Sequence, residues 1–273
     1  MPRLATLVLV ALCAAAGAAA AGDAPRRIVS ANLCADRLAL DLVAPDRIVS
    51  VSALAFDPGI STVASRVGGL HANRGGAEEI LALAPDLVLL GAFAPRGGAA
   101  LLRRLGLAVH EVPLVQDLDG ARRAILELAA RLHVPARGAA LVAALEARLA
   151  DLPRPIREGE RRAIAIQAGG WVAAAGTVPD SLFARLGIVN AAAGGAGASG
   201  MRALDAEGIL ALRPGLAAVE RLPARGSSRA EELLSHRALV RAAPRRVDIP
   251  ARDWICPDGA LADAAAAIAG AAR

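Results

Sequence analysis

The sequence predicts an α/β protein of two Rossmann-like lobes with mostly parallel sheets, joined by one long α-helical connector, with a cleft between the lobes. Three observations carry this reading. Short apolar runs alternate with helical spacing along most of the chain. One central stretch, 118–152, has helical spacing only. A ten-residue segment occurs once on each side of that stretch.

The elements follow in order. Strands are expected at Arg27–Ser30, Ile48–Val51, Leu87–Gly91 and Val109–Val112, with helices at Asp36–Val43, Ala77–Ala84 and Ala99–Leu105. Pro45, Pro85 and Gly106 stand where turns are needed. In the central stretch, Ile125, Leu128 and Leu132 are followed by Leu141, Leu145 and Leu149. This reads as about thirty helical residues, roughly 45 Å long, with Pro135 as a point of weakness. Beyond Pro153–Gly159 the alternation resumes, with strands at Ala163–Gln167, Leu216–Glu220 and Arg246–Ile249. Helices are expected from Pro179, from Asp205, over Arg229–Leu234 and from Gly259.

The repeat is ungapped. Glu78-Glu79-Ile80-Leu81-Ala82-Leu83-Ala84-Pro85-Asp86-Leu87 returns as Glu207-Gly208-Ile209-Leu210-Ala211-Leu212-Arg213-Pro214-Gly215-Leu216. Each copy reads as a short helix opened by an acid, stopped by proline and followed by an apolar strand. Two similar lobes are the economical arrangement. The expected division is a leader over 1–21, an N-terminal lobe over 22–117, a connector over 118–152 and a C-terminal lobe over 153–273.

Composition excludes several classes. The 31 basic residues are all arginine, against 26 acids, so no lysine is present for a phosphate loop or a Schiff base. Tyrosine is absent, and only three phenylalanines and two tryptophans occur. Nucleic-acid binding fits poorly, because the basic residues alternate with acids and lack interleaved stacking aromatics.

Arg3, the apolar run Leu4–Leu12 and the small residues Ala19–Ala21 form the pattern of a cleaved secretory signal, too short to span a bilayer. Cys13 is expected to leave with it. Cys34 and Cys256 remain, and in an oxidising compartment an even pair leans toward a disulfide. Two buried thiols packed as small apolar groups are the alternative.

With these features in place, the sequence resembles the cobalamin and ferric-siderophore class of periplasmic substrate-binding proteins of ABC importers. The resemblance is carried by both Glu-x-Ile-Leu-Ala-Leu-x-Pro segments, by Arg27-Ile28-Val29-Ser30 leading to Asn32 and Asp36, and by Asp253-Trp254 after the last strand. It implies a periplasmic, monomeric, non-enzymatic protein without a cofactor, which carries a corrinoid or ferric-siderophore chelate to a membrane permease. It implies a ligand cleft lined by loops at the carboxyl ends of strands, the usual place in open α/β sheets. In those loops the candidate ligand-binding residues are Asn32, Leu33, Cys34, Phe56, Arg74, Phe93, Trp171, Arg202 and Trp254. It further implies that Glu78 and Glu207, one per lobe, dock onto arginines of two permease subunits.

Other readings of the same residues are weighed against this one. Tryptophans are more often core than ligand wall, but Trp171 and Trp254 stand at expected strand ends. Arg74, Arg96, Arg202 and Arg252 are either solvated surface charges or a joint positive field for an anionic chelate. His71 lies in a cleft loop, but the four histidines show no metal-ligand spacing, which argues against a bare zinc or manganese site. Without tyrosine no phenolate can ligate iron, so the ligand is expected as a preformed chelate. Gly195-Ala196-Gly197-Ala198-Ser199-Gly200 spells a dinucleotide fingerprint, but it lacks a strand before it and a helix on its last glycine. No hydrolase nucleophile elbow occurs, and an exported enzyme of unknown chemistry on the same fold is the alternative function.

Overall fold

The computed structural model describes residues 23–92, 97–153, 162–195, 198–222, 234, 240–241 and 243–273. The N-terminal sheet comprises β1 (Ile28–Ser30), β2 (Ile48–Ser52), β3 (His71–Asn73), β4 (Leu87–Gly91) and β5 (Val109–Val112). Its order is β3-β2-β1-β4-β5, and all its pairings are parallel. Helices α1 (Leu33–Leu42), α2 (Ala77–Ala82) and α3 (Gly98–Arg104) cover it. Buried on both faces, β4 reads as an unbroken apolar run, as a parallel central strand must.

After α4 (Leu118–Arg131) and α5 (Pro135–Ala150), the second sheet forms from β6 (Arg162–Gln167), β7 (Trp171–Ala173), β8 (Val189–Asn190), β9 (Met201–Ala203), β10 (Leu216–Arg221) and β11 (Arg245–Pro250). Its order is β11-β10-β6-β7-β9, with β8 paired to β6. The β6–β10, β10–β11 and β6–β8 pairs are parallel, whereas β6–β7 and β7–β9 are antiparallel, so this sheet is mixed. Helices α6 (Val178–Leu186), α7 (Ala206–Ala211) and α8 (Leu261–Ala271) complete the lobe. The helix expected over Arg229–Leu234 falls almost wholly outside the described residues.

The connector differs from the single long helix that the spacing predicts. It is an antiparallel hairpin of two helices, α4 and α5, about 21 and 24 Å long. Pro135 causes the break: it has no N–H to continue the ladder and takes the first position of α5 instead. His133, in the left-handed region at φ 61°, turns the chain just before it. The two helices touch closely, since a Cβ on Gly138 would lie 2.4 Å from the Cβ of Ala129. Near the open end, Arg122 pairs with Glu146 at 2.6 Å.

Both helices belong to both lobes. Leu118 and Ala121 of α4 pack in the C-terminal core, while Ile125, Leu128 and Leu132 pack in the N-terminal core. In α5, Leu141 and Val142 lie against the N-terminal core, and Leu145 and Leu149 enter the C-terminal one.

A second connection runs from the end of β11. The strap Ala251–Gly259 leaves the C-terminal sheet and is fastened to α1 of the other lobe. Cys256 is disulfide-bonded to Cys34, across 222 residues of sequence. Fully buried Arg37 meets Asp258 with Nε–Oδ2 at 2.5 Å and Nη2–Oδ1 at 2.8 Å, and its Nη1 donates to the Arg252 carbonyl at 2.7 Å. Arg252 in turn donates to the Pro58 carbonyl at 3.0 Å.

The repeat has one backbone conformation in both copies. Ile80 and Ile209 are fully buried, and Ala84 and Arg213 both enter the left-handed region, at φ 45° and 48°. Arg27 donates to the Leu83 and Ala84 carbonyls at the end of α2, and Arg162 donates to the Leu212 carbonyl at the end of α7.

Two interlobe connections besides the disulfide should permit only a small rocking motion. Solution scattering is therefore expected to give nearly the same radius of gyration with and without ligand, and a large drop on binding would contradict it. Thiol titration of the denatured, unreduced chain from residue 22 onward should find no free thiol, and two after reduction.

Candidate functional site

The carboxyl ends of β1, β4 and β5 meet the strap and the start of α6 around a cavity of about 180 Å³. Asn32, Cys34, Gly91, Ala92 and Val112–Val115 line it from the N-terminal side. Val178 and Trp254–Pro257 close it from the other. Ligand pockets generally hold about 300–1,000 Å³, so this cavity, a floor between the strand ends and the strap, is smaller than such a pocket.

Local rules explain the floor. Asn32 is the N-cap of α1, and its side chain accepts from the Cys34 and Ala35 amides at 3.0 and 3.1 Å. Its amide group lies where a Cβ at position 91 would stand, 2.2 Å from Nδ2, so only glycine fits at the end of β4. Cys34 sits in the first turn of α1, where its sulfur reaches the strap. Leu33 is only 6% exposed and packs in the core, so it supports this loop from below and presents no face to the cleft.

The remaining candidates are distributed around the strand ends. Phe56 follows β2 and is 37% exposed. Trp171 starts β7 beside Gln167, the last residue of β6, and is 47% exposed. Trp254 is 5% exposed: its ring walls the cavity, and its Nε1 donates to Glu220 at 2.8 Å. Arg74 follows β3 and Arg202 lies within β9, at the outer edges of the two sheets. Neither guanidinium has a hydrogen-bond or ion-pair partner among the described residues. Arg252, by contrast, is engaged with Pro58. Phe93 and Arg96 lie outside the described residues. The sequence reading passed over Leu54, Leu114, Leu222 and Ile255, large apolar side chains exposed just beyond β2, β5, β10 and β11. The only signal for them was an apolar residue directly after a predicted strand.

Among the described residues, two buried acids here, Asp36 and Glu220, have no cationic partner. Asp36, in the first turn of α1, accepts from the Ser52 amide and, at 2.5 Å, from its hydroxyl. Burial pushes its carboxyl up to about 7, against the opposing hydrogen bonds of Ser30 and Ser52. Glu220 ends β10 beside Arg221 and accepts from Trp254 and, at 2.9 Å, from Gln167. Burial raises it above the ordinary glutamate range, and these two hydrogen bonds oppose the rise.

Other motifs resolve simply. Gly200 leads into β9 and not into a helix, so the glycine loop lacks the helix a dinucleotide site requires. His71 is exposed at the edge of the sheet, with Nε2 3.4 Å from Glu79. No cluster of three metal-ligating residues occurs among the described residues. Glu78 and Glu207 are both exposed, in the first turns of α2 and α7.

Two lobes with strand ends facing an interlobe cleft define a two-lobed solute-binding protein. Residues 28–244 match the family model described as periplasmic binding protein. The chain belongs to that family, whose members are the substrate-binding components of ABC importers. No curated protein matches it. Among solved structures, it is similar to the periplasmic heme-binding protein RhuT from Roseiflexus sp. RS-1, at 25% identity and a TM-score of 0.71, covering 91% of this chain and 99% of that one. The periplasmic heme-binding protein HutB of Vibrio cholerae gives 21% identity, a TM-score of 0.73, and coverage of 89% and 97%. The periplasmic vitamin B12-binding protein BtuF of Vibrio cholerae gives 20%, 0.66, and 91% and 97%.

Asp36 generates a prediction with a definite sign. Its folded pKa lies above the unfolded value of 3.8, so the stability it contributes is present in full below about pH 4 and is lost as pH rises through about 7. Asp36→Asn should remove this part of the slope, a loss of a few kcal/mol across the window at about 1.4 kcal/mol per unit. Thermal melts of both proteins between pH 4 and 8 check it.

Proposed function

We propose that the protein captures a metal chelate whose coordination sphere is already filled, a corrinoid above all, and delivers it to a two-subunit membrane permease. The observation that carries this reading is a cleft rich in exposed apolar side chains and poor in axial ligands. Tyrosine is absent from the chain. The cysteines beside the cavity are bonded to each other. His71 is turned toward Glu79 at the far edge of its sheet. A corrinoid or a ferric siderophore brings its own ligands and asks the protein for shape, apolar area and a few polar contacts. Trp171, Phe56, Leu54, Leu114 and Ile255 offer the area, and Asn32 offers a polar contact at the floor. Unpaired Arg74 and Arg202 favour a ligand with anionic substituents.

Haem is the second reading, supported by the heme-binding proteins among the similar structures. It would need an axial ligand from His71 or Met201, or none. Titration of the purified protein with cyanocobalamin, a ferric hydroxamate siderophore and hemin separates the readings. Saturable one-to-one binding of cyanocobalamin or the siderophore supports the proposal, and binding of hemin alone overturns it in favour of haem.

Export fits this role: the first 21 residues carry the leader pattern, and no helix among the described residues is long and apolar enough to cross a membrane. Delivery is assigned to Glu78 and Glu207. An acid in the first turn of a helix interacts favourably with the macrodipole, worth about 0.3–1 kcal/mol, which accounts for each acid alone. It does not account for two exposed acids at matching points of two lobes. Such a pair suits a partner with two like subunits. Exposed charges chiefly steer encounter and fix register, so docking should weaken with salt.

The double substitution Glu78→Ala with Glu207→Ala is expected to leave ligand affinity nearly intact and to abolish or strongly slow uptake. Substituting Glu79, whose carboxylate accepts from the Arg74 amide at 2.8 Å, should affect uptake much less. Ligand titration of the purified variants, beside uptake in cells carrying them, checks both. Normal uptake in the double variant would remove the docking role.

A further inference from the structure

We propose that Glu220 is a positioning residue of the cleft: with Gln167 it pins the Trp254 ring as the wall of the interlobe cavity, and so sets ligand affinity without touching ligand. The inference rests on the cleft being the ligand site, and its first test needs no ligand.

Three facts carry it. Glu220 is 9% exposed, yet among the described residues its hydrogen-bond partners are two neutral donors and no cation. Burying a carboxyl in this way is costly. An indole N–H needing only a partner could take a backbone carbonyl at no such cost. Second, both donors converge on one oxygen, Oε2, at 2.8 Å from Trp254 and 2.9 Å from Gln167. Hydrogen bonds to an ionised acceptor are shorter and stronger than neutral ones, and two on one atom fix its position. Third, Trp254 is held at its other end as well. Its amide donates to the Ala251 carbonyl at 3.3 Å, and two residues on the chain is bonded through Cys256 to the opposite lobe. Backbone and Nε1 together define the ring plane against the cavity.

The network also reaches the exposed tryptophan. Gln167 pairs directly with Trp171 across β6 and β7. A single buried carboxyl thus ties the wall of the cavity to the strand that carries the largest exposed aromatic of the cleft.

The first arm is spectroscopic and uses the unliganded protein. The chain has two tryptophans, so a Trp171→Phe background leaves Trp254 as the sole indole. In that background Glu220→Leu is expected to red-shift the emission and increase quenching by acrylamide. Glu220→Gln should restore the original spectrum, because one amide oxygen at the same place can accept both bonds. Gln167→Leu removes only one of the two donors and should give an intermediate shift, a milder test should Glu220→Leu fail to fold. The second arm titrates cyanocobalamin and hemin into variants that keep Trp171. Glu220→Leu is expected to raise Kd about tenfold or more, the usual consequence of stranding a buried donor, and Glu220→Gln to stay within about threefold of the starting protein. In a Trp254→Phe background, which has no N–H to hold, Glu220→Leu should cost no further affinity.

An unchanged spectrum in both Glu220→Leu and Gln167→Leu would overturn the proposal. So would equal losses of affinity in the Leu and Gln variants, or an undiminished loss in the Trp254→Phe background. Failure of both probes to bind the parent protein would instead refute the reading of the ligand class. The spectroscopic arm would still decide what holds Trp254.

Discussion

Everything in this molecule depends on how the strap Ala251–Gly259 is fastened to α1 of the other lobe. The start of α1 carries the parts: Asn32 caps it, Cys34 takes the disulfide, and Arg37 takes the ion pair with Asp258. The disulfide closes a loop across 222 residues, for which chain entropy alone allows up to about 5 kcal/mol. The ion pair acts differently. A fully buried pair adds little net stability over an apolar substitute, but breaking it by removing one partner costs about 3–5 kcal/mol. It therefore specifies one seating of the strap more than it strengthens it. Burial drives the Asp258 carboxyl upward and Arg37 opposes this, the balance expected of a buried carboxylate kept in place by its partner.

The helical hairpin has the same consequence by another route. Each of α4 and α5 contributes one half to each core, so separating the lobes would expose apolar surface from both helices at once, at about 25 cal/mol per Å². A hinge needs a joint with few buried contacts, and none of the three connections offers one. The two pseudo-equivalent helices α2 and α7 are thereby held in a fixed relation. That fixed relation gives Glu78 and Glu207, in the first turns of these helices, a constant separation, as the proposed docking would require.

The sequence made legible those features that local rules dictate. The repeat was readable because Glu, Ile and Pro recur without a gap, and each copy folds into one helix, one left-handed residue and one apolar strand. The hairpin was not, since apolar spacing continues smoothly from Leu132 to Leu141 and only Pro135 marked the turn. Strand β3 escaped notice because His71-Ala72-Asn73 lacks apolar alternation; it forms by pairing with β2. The antiparallel β7 and β9 are three-residue strands with no pattern of their own. In the site, Trp171 and Trp254 were visible as aromatic residues near strand ends. Their environments diverge, Trp171 exposed and Trp254 buried with its Nε1 on Glu220, 34 residues away. No local signal connects residues so far apart.

With aromatic residues this scarce, the proposed function would draw its selectivity from what the cleft lacks. Several arginines are engaged within the protein: Arg37 by Asp258, Arg252 by the Pro58 carbonyl, Arg221 by Asp248 at 2.9 Å, and Arg148 by Asp263 at 2.5 Å. The Arg74 and Arg202 guanidinia, one on the edge strand region of each sheet, have no such partner among the described residues. On the proposed function, two separated cations beside an apolar cleft would favour a ligand that is large, mostly apolar and anionic at its periphery, over the range that salt allows, about 8–10 Å. A small hydrophilic anion would meet only one of them and would leave the apolar floor wet. The strap reinforces this choice, since it fills the floor with Trp254, Ile255 and Pro257 and leaves a shallow cavity. On the proposed function, the strap that locks the lobes together would also limit how deep a ligand can sink.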